Sequence, residues 1–420
     1  MAHETALITT VAAGFGMALL FGLAATRLRL PALVGYLLAG VAVGPFTPGF
    51  VADAQLAPQL AEIGVILLMF GVGIHFSLRD LLAVRRIAVP GALAQIGAAT
   101  LLGTGVGRLW GWSWGAGLVF GLSLSVASTV VLLRALEDRG TAGSPEGRIA
   151  IGWLIVEDLV TVLALVLLPA LAPSLGGATP QELLHEGSPG PGAIAGVVAL
   201  TIAKVAGFVV LMVFVGRRAV PRLLQHVAAT GSRELFTLAV LTVALGIAVG
   251  AAFLFGVSFA LGAFLAGVVI NESDLSHEAA TNALPLRDAF AVLFFVSVGM
   301  LFDPTILLRA PLQVLAVVAI VMVGKSVAAL ALVRAFGHPS RTALTIAASL
   351  GQIGEFSFIL AALGVSLGLL APEARSLILA GALLSITLNP VLFGAIDPLD
   401  RWLGRRQARR ASRAADGETR

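Results

Sequence analysis

The chain has 420 residues, of which 58% are hydrophobic and 12% are charged, with a formal net charge of +4. Soluble domains carry roughly 25% charged residues, so this composition excludes an ordinary soluble enzyme or binding domain and indicates a polytopic membrane protein. Because the chain has no cysteine, disulfides and cysteine-based metal or redox chemistry are also excluded.

Hydropathy, together with the positions of glycine, proline and charged residues, predicts about thirteen membrane-spanning helices. The first lacks a basic leader region and a clear cleavage site, so we expect it to be retained. The predicted spans lie near residues 5–26, 32–50, 56–76, 87–108, 112–137, 148–171, 192–216, 233–250, 252–271, 284–302, 310–336, 341–368 and 373–396.

The arginines are distributed unequally between the two sides of the predicted membrane. Fifteen lie in odd-numbered connections and three in even-numbered connections. Cytoplasmic loops are enriched in basic residues, so we expect a multi-pass protein of the inner (plasma) membrane with its N-terminus outside and its basic tail, residues 397–420, in the cytoplasm. This topology explains the sequence pI of 10.5 better than a nucleic-acid partner does, and none is expected.

Two adjacent carboxylates, Glu157 and Asp158, lie near the middle of the sixth predicted span. Each charge at mid-membrane costs about 2.5–3.5 kcal/mol, so such residues usually serve a function. The alternative is a pair neutralised by protonation or salt bridges that only helps helices associate. Thr161 follows within one helical turn, which places its hydroxyl beside both carboxylates. The pattern predicts an ion-binding site.

The fifth and twelfth predicted spans contain polar interruptions. The residues concerned are Ser123, Ser125, Ser128 and Thr129 in the fifth and Gly351, Gln352, Gly354 and Glu355 in the twelfth. Such interruptions at corresponding positions of two halves are typical of transporters with inverted repeats and a midplane site. Spans 4–6 and 11–13 are therefore predicted to form two repeats with broken helices, although serine and glycine also permit close helix packing.

Asp158 is the predicted binding group for a monovalent cation and for a proton, which compete because burial disfavours the ionised carboxylate. Lys325, in span 11, is expected to pair with Glu157. Gln352 and Glu355 are expected to help compensate charge. For Glu355, a role in a structural ion pair is favoured over a role as a cation ligand. The other predicted ligands are the hydroxyls of Ser125, Ser128, Thr129 and Thr161 and the carbonyls near Val126 and Ala127. No metal-ligand histidine spacing, phosphate loop or nucleophile–base pair is present, so we expect no enzyme and no cofactor.

These motifs, in this order, resemble the membrane domain of the monovalent cation:proton antiporter superfamily, most closely its Kef-type branch. The resemblance covers nearly everything before the tail. The segments that carry it are Arg29–Gly40 with Gly44-Pro45, Glu62–Phe70, Ser128-Thr129, Glu157-Asp158, Phe294–Met300 and Gly351–Phe356.

The resemblance implies an all-α, Na+/H+ antiporter-like fold that forms a homodimer in membrane lipid. It implies an elevator-type mechanism and potassium as the preferred cation, with sodium/proton exchange and a ligand-gated potassium efflux system as alternatives. The implied parts are scaffold helices in 1–84 and 217–302, core repeats in 85–172 and 309–396, and a linker helix in 191–216.

Three departures from the Kef-type pattern leave glutathione control and the proton-to-cation ratio open. Glu157 stands where that branch usually has glutamine, Lys325 where it often has arginine, and Ile353 where it usually has glycine. The family commonly adds a cytoplasmic nucleotide-binding domain, which is absent from this sequence, so a truncated chain is one interpretation.

Two other classes compete with an antiporter. A potassium channel favours a symmetric carbonyl filter, and no repeated filter sequence is visible. An intramembrane hydrolase needs carboxylates that converge on one reacting group, whereas adjacent residues on a helix diverge by about 100°.

Overall fold

The computed structural model describes residues 2–48, 56–74, 78–137, 139–177, 191–403 and 405. Eighteen numbered α-helices lie in these residues, followed by a helical segment that runs through residue 403. They are α1 (Ala2–Arg27), α2 (Ala32–Val43), α3 (Leu56–Ile74), α4 (Leu78–Leu109), α5 (Trp114–Ser125), α6 (Thr129–Glu137), α7 (Pro145–Leu171), α8 (Pro191–Leu211), α9 (Arg217–Ala228), α10 (Arg233–Phe255), α11 (Phe259–Asn271), α12 (Ser276–Met300), α13 (Ile306–Arg309), α14 (Pro311–Ala319), α15 (Lys325–Ala335), α16 (Ser340–Leu350), α17 (Glu355–Ser366) and α18 (Pro372–Gly394).

The helices are long and apolar enough for a multi-pass membrane protein. Within the described ranges, nine helical segments can cross a membrane, and ten can if the bent pair α16–α17 counts as one span. Three shorter apolar helical segments accompany them: Ala32–Val43, Gln59–Ile74 and Phe259–Asn271. The predicted all-α membrane fold is confirmed, while the count of thirteen spans stays a prediction.

The predicted boundary between the eighth and ninth spans is wrong. The sequence predicts that the eighth span ends at Gly250, whereas α10 continues to Phe255. The turn forms instead at Gly256, whose φ of 63° lies in the left-handed region that glycine tolerates. Ser258 then begins the next helix by accepting a hydrogen bond from the Leu261 N–H at 3.3 Å. Gly250 was a misleading signal because an isolated glycine inside a helix is tolerated.

Two π-helical turns were not predicted. One, Met212–Gly216, joins α8 to α9, and the other, Ile320–Gly324, joins α14 to α15. The sequence also predicts a connection where the structure has the amphipathic helix α9, because basic residues are typical of cytoplasmic loops. The predicted tail at 397–420 is helical through residue 403. Apart from residue 405, the remainder of the predicted tail lies outside the described residues.

One compact unit comprises Met1–Leu78, Val160–Thr305 and Leu363–Pro372. In it, α3 packs against α11 and α12, and α2 packs against α1 and α12. Glycines permit these close crossings: a Cβ on Gly73 would lie 2.1 Å from the Phe264 carbonyl oxygen, and a Cβ on Gly40 would lie 2.0 Å from that of Val296. Small residues at such crossings are typical of membrane helix packing. The scaffold role expected for residues 1–84 and 217–302 stays a prediction.

The other compact unit comprises Arg79–Leu159, Ile306–Ala362 and Glu373–Arg420. Here α4 packs against α5 where a Cβ on Gly103 would lie 2.4 Å from the Cα of Gly121. The same helix packs against α7, because the Trp153 ring occupies the space over Gly91. This unit contains both broken helices and the carboxylates Glu157 and Asp158. The moving-core role expected for residues 85–172 and 309–396 stays a prediction.

Candidate ion-binding site

Two helices are interrupted at the predicted positions. The first ends with α5 at Ser125 and resumes with α6 at Thr129; between them, Val126 is extended, with φ −90° and ψ 130°. The second ends with α16 at Leu350 and resumes with α17 at Glu355, and the two halves are bent by 43°. An interrupted helix leaves backbone N–H and C=O groups without intrahelical partners, so each break must find partners elsewhere.

The two breaks cross and bond to each other. The Gly354 N–H donates to the Val126 carbonyl at 3.1 Å. The Gln352 side chain pairs with the backbone of Ser128: its Oε1 accepts from the Ser128 N–H at 2.9 Å, and its Nε2 donates to the Ser128 carbonyl at 3.1 Å. A Cβ on residue 354 would lie 2.4 Å from the Ala127 carbonyl oxygen, so the crossing needs glycine there. Gln352 therefore holds the first break to the second.

Two buried charged side chains also bond to the backbone of the breaks. The Glu157 Oε2 accepts from the Ala127 N–H in the first break at 2.9 Å. The Lys325 Nζ donates to the Gln352 carbonyl in the second break at 3.0 Å. Both residues are 0% exposed, and their opposite charges attract each other. Each charged side chain therefore forms a hydrogen bond with a backbone group that the interrupted helix leaves without an intrahelical partner.

Asp158 lies where the first broken helix resumes. It is 5% exposed, and its Oδ2 accepts from the Thr129 hydroxyl at 3.3 Å. Thr129 is the first residue of α6, at the positive end of that helix dipole. Within the described part of the chain, the other carboxylate oxygen, Oδ1, has no hydrogen-bond partner. This oxygen is therefore available to bind a cation or a proton.

Glu355 lies close enough to Asp158 for the two carboxylates to repel each other. It is 2% exposed and is the first residue of α17, so it also occupies the positive end of a half-helix. Two carboxylates in this arrangement favour the uptake of positive charge, either as a proton or as a metal cation. From the sequence, Glu355 is expected to offset the charge of Lys325 or to face the crossing of the broken helices, and its charge-compensating role stays a prediction.

Several predicted oxygen ligands are engaged by the backbone. The Ser125 hydroxyl donates to the Leu122 carbonyl at 2.7 Å, and the Ser128 hydroxyl accepts from the Val131 N–H at 3.3 Å, which caps α6. The Val126 carbonyl accepts from Gly354, as described above. These contacts arise because buried backbone groups of a break must be satisfied. Ser125 and Ser128 nonetheless retain lone pairs, and their role as cation ligands stays a prediction.

Thr161 is 1% exposed and lies one helical turn beyond Asp158 on α7. Its role as a ligand also stays a prediction.

Sequence reasoning missed three neutral side chains that serve the breaks. The Gln95 Nε2 donates to the Ser125 carbonyl at 3.1 Å. From α18, the Ser385 hydroxyl accepts from the Ile353 N–H at 3.3 Å, and the Asn389 Nδ2 donates to the Ala348 carbonyl at 2.9 Å. Gln95 and Asn389 could have been noticed as isolated amides in apolar helices, since such residues usually bond across membrane helices.

Two broken helices that cross beside buried carboxylates define a secondary transporter built from inverted repeats. The family pattern described as "Sodium/hydrogen exchanger, transmembrane" matches residues 15–396. The chain belongs to this family, and the predicted membership of the monovalent cation:proton antiporter superfamily is confirmed.

Three relatives share substantial sequence with the chain. YbaL of Escherichia coli (strain K12), described as a candidate cation/proton antiporter, is 62% identical over 94% of this chain and 70% of its own length. An uncharacterised protein from the phaC 3′ region of Methylorubrum extorquens is 64% identical over 66% of this chain and 100% of its own length. K(+) efflux antiporter 4 of Arabidopsis thaliana is 34% identical over 87% of this chain and 60% of its own length.

The fold is similar to that of a solved antiporter. The sodium proton antiporter MjNhaP1 of Methanocaldococcus jannaschii, solved at pH 8, has a TM-score of 0.70, with 94% of this chain and 98% of that chain covered. The two sequences are 16% identical, so this likeness supports the fold alone.

Proposed function

We propose that the chain exchanges a monovalent cation, K+ in preference to Na+, for protons, and that Asp158 binds the cation and the proton in turn. The observation that supports this proposal is the environment of the Asp158 carboxylate. This carboxylate is buried, one oxygen is bonded to Thr129, and the other oxygen has no hydrogen-bond partner among the described residues. A monovalent cation needs oxygen ligands of this kind to replace its hydration shell.

The surrounding charges support exchange rather than leakage. Glu157 and Lys325 attract each other, and each is bonded to a break. Asp158 is therefore left to bind a transported ion. An empty, ionised carboxylate is costly to carry through a hydrophobic barrier, so the carrier changes sides only when a cation or a proton is bound. That requirement couples the two fluxes.

The preference for K+ rests on the Kef-type resemblance and on the plant relative, which is named as a K(+) efflux antiporter. Sodium/proton exchange is the second candidate, because the family that matches residues 15–396 is described as a sodium/hydrogen exchanger. In either case the proposal includes alternating access by an elevator-type movement, a homodimer, and a cytoplasmic C-terminus.

The test is cation-dependent proton flux in liposomes with an imposed pH gradient. K+, Na+, Li+ and the impermeant choline are added in turn to wild type and to Asp158→Asn. We expect K+ to dissipate the gradient at the lowest concentration and Asp158→Asn to be inactive. The matched control is Asp274→Asn, which makes the same chemical change at an exposed residue between α11 and α12.

Each component of the proposal has its own contrary outcome. Equal responses to K+ and Na+ overturn the preference for K+. Potassium flux that moves no protons identifies a channel and overturns antiport. Cation-dependent proton flux at the wild-type rate in Asp158→Asn removes Asp158 from the mechanism.

A further inference from the structure

A closed ring of buried polar groups surrounds the first break. Its backbone members are the Ser125 carbonyl, where α5 ends, and the Ala127 N–H two residues later. The Gln95 Nε2 donates to the Ser125 carbonyl at 3.1 Å, and the Ala127 N–H donates to Glu157 at 2.9 Å. Trp153 joins these two side chains. Its indole N–H donates to the Gln95 Oε1 at 3.4 Å, and Trp153 lies one turn before Glu157 on α7, so that helical turn closes the ring.

The positions of Gln95 and Trp153 are tightly constrained. Both are 0% exposed, so their polar atoms have no water to replace a lost partner. Gly91 lies one turn before Gln95 on α4, and a Cβ there would lie 2.2 Å from the Trp153 ring. Trp153 in turn lies one turn before Glu157 on α7, on the same helical face. Helix α4 therefore holds the indole by both packing and hydrogen bonding.

The second repeat has a comparable arrangement. There, Lys325 donates to the Gln352 carbonyl of the second break at 3.0 Å, as Gln95 donates to Ser125 in the first. In each repeat, a side chain of the first span donates a hydrogen bond to a backbone carbonyl of the break: Gln95 in the first repeat and Lys325 in the second. The donor is charged in one repeat and neutral in the other.

We propose that Gln95 is a positioning residue for the ion-binding site. It anchors the end of α5 and, through Trp153, fixes Glu157, and so it sets the cation affinity of the adjacent Asp158. Thr129, which contacts Asp158, follows the anchored segment directly, so movement of this segment alters the Thr129–Asp158 contact. The link from Gln95 to cation affinity rests on the proposed function, whereas the hydrogen-bonded ring does not depend on that function.

The test uses Gln95→Met, which keeps the side-chain length and removes both hydrogen bonds, and Trp153→Phe, which removes the indole N–H. The double variant completes a cycle, and Gln225→Met at an exposed position of α9 is the control. In liposomes we expect each ring variant to raise the K+ concentration for half-maximal exchange by about tenfold, with the maximal rate little changed. The double variant should be little worse than either single variant, because both disrupt one ring.

Hydrogen–deuterium exchange of the purified proteins provides a readout that does not depend on transport. The amides of Ala127–Thr129 should exchange faster in Gln95→Met than in wild type and in Gln225→Met. Failure of wild type to exchange cations overturns the proposed function, while the amide measurement still decides the role of Gln95 in the ring.

Three results overturn the positioning role. They are an unchanged half-maximal K+ concentration in folded Gln95→Met, effects of the two substitutions that simply add, and unchanged amide exchange. If Gln95→Met does not fold, Trp153→Phe alone decides, since it removes only one donor and is expected to show the same rise in half-maximal concentration.

Discussion

Replacement of Gly354 by alanine tests whether the two broken helices must cross as closely as the structure places them. The new Cβ would lie 2.4 Å from the Ala127 carbonyl oxygen, 2.6 Å from its carbon and 2.8 Å from the Ser128 nitrogen. All three atoms belong to backbone and cannot rotate away. The breaks must therefore separate, which stretches the Gly354–Val126 hydrogen bond of 3.1 Å.

The expected cost follows from these two effects. Overpacking of a buried site costs about 1–3 kcal/mol, and a lost hydrogen bond adds about 0.5–1.5 kcal/mol. We therefore expect Gly354→Ala to lower the free energy of unfolding by about 2–4 kcal/mol. The assay is thermal unfolding in detergent, followed by tryptophan fluorescence and by size-exclusion chromatography. After reconstitution of the same protein into liposomes, a cation-flux assay should show reduced exchange, because the crossing lies beside Asp158.

Gly97→Ala is the matched control for this experiment. It lies inside α4, and a Cβ there meets nothing within 4 Å. Alanine in a helix interior is favoured over glycine by about 0.5–1 kcal/mol, so this variant should be as stable as wild type or more stable. If Gly354→Ala matches wild type in both melting temperature and exchange, the close crossing is not required and the reasoning is refuted.

Two further predictions concern the charged pair and the topology. Lys325→Ala leaves Glu157 as a lone buried charge, which costs about 3–5 kcal/mol. The single variant should therefore melt at a lower temperature than the double variant Lys325→Ala with Glu157→Gln. Equal melting temperatures would show that the two charges do not depend on each other. The arginine bias predicts that a reporter fused to the C-terminus is active in the cytoplasm; activity on the outer side instead would mean that the number of spans is even.

The sequence predicted those features of the site that depend on residue type and on position along the chain, namely the two broken helices and the buried carboxylates. The runs around Ser128 and Gly354 predicted two broken helices because hydroxyl and glycine residues are unusual in consecutive positions of an apolar span. The adjacent carboxylates Glu157 and Asp158 stood out because ionisable residues are costly in a membrane helix. These signals are local, so they could be read without knowing how the helices pack.

The pairing of groups across the breaks could not be predicted in the same way. Spacing does not reveal that Gln352 bonds to Ser128 or that the Val126 carbonyl is taken by Gly354, because these partners are more than two hundred residues apart. The role of Gln95 depends likewise on the crossing of α4 with α5 and α7. The Val126 carbonyl already accepts from the Gly354 N–H because buried backbone groups need partners, while its predicted role as a cation ligand stays a prediction.

Proton release on cation binding tests the central claim most directly, because one carboxylate is proposed to bind either ion. The purified protein is titrated with K+ in a weakly buffered detergent solution, with choline as the blank, and the pH change is recorded. We expect wild type and Asp274→Asn to release protons as K+ binds, and we expect the K+ concentration for half-maximal binding to rise as the pH falls, since protons then occupy more of Asp158. Asp158→Asn should release none. Undiminished proton release from Asp158→Asn would contradict the account, because the two ions would then compete at another group.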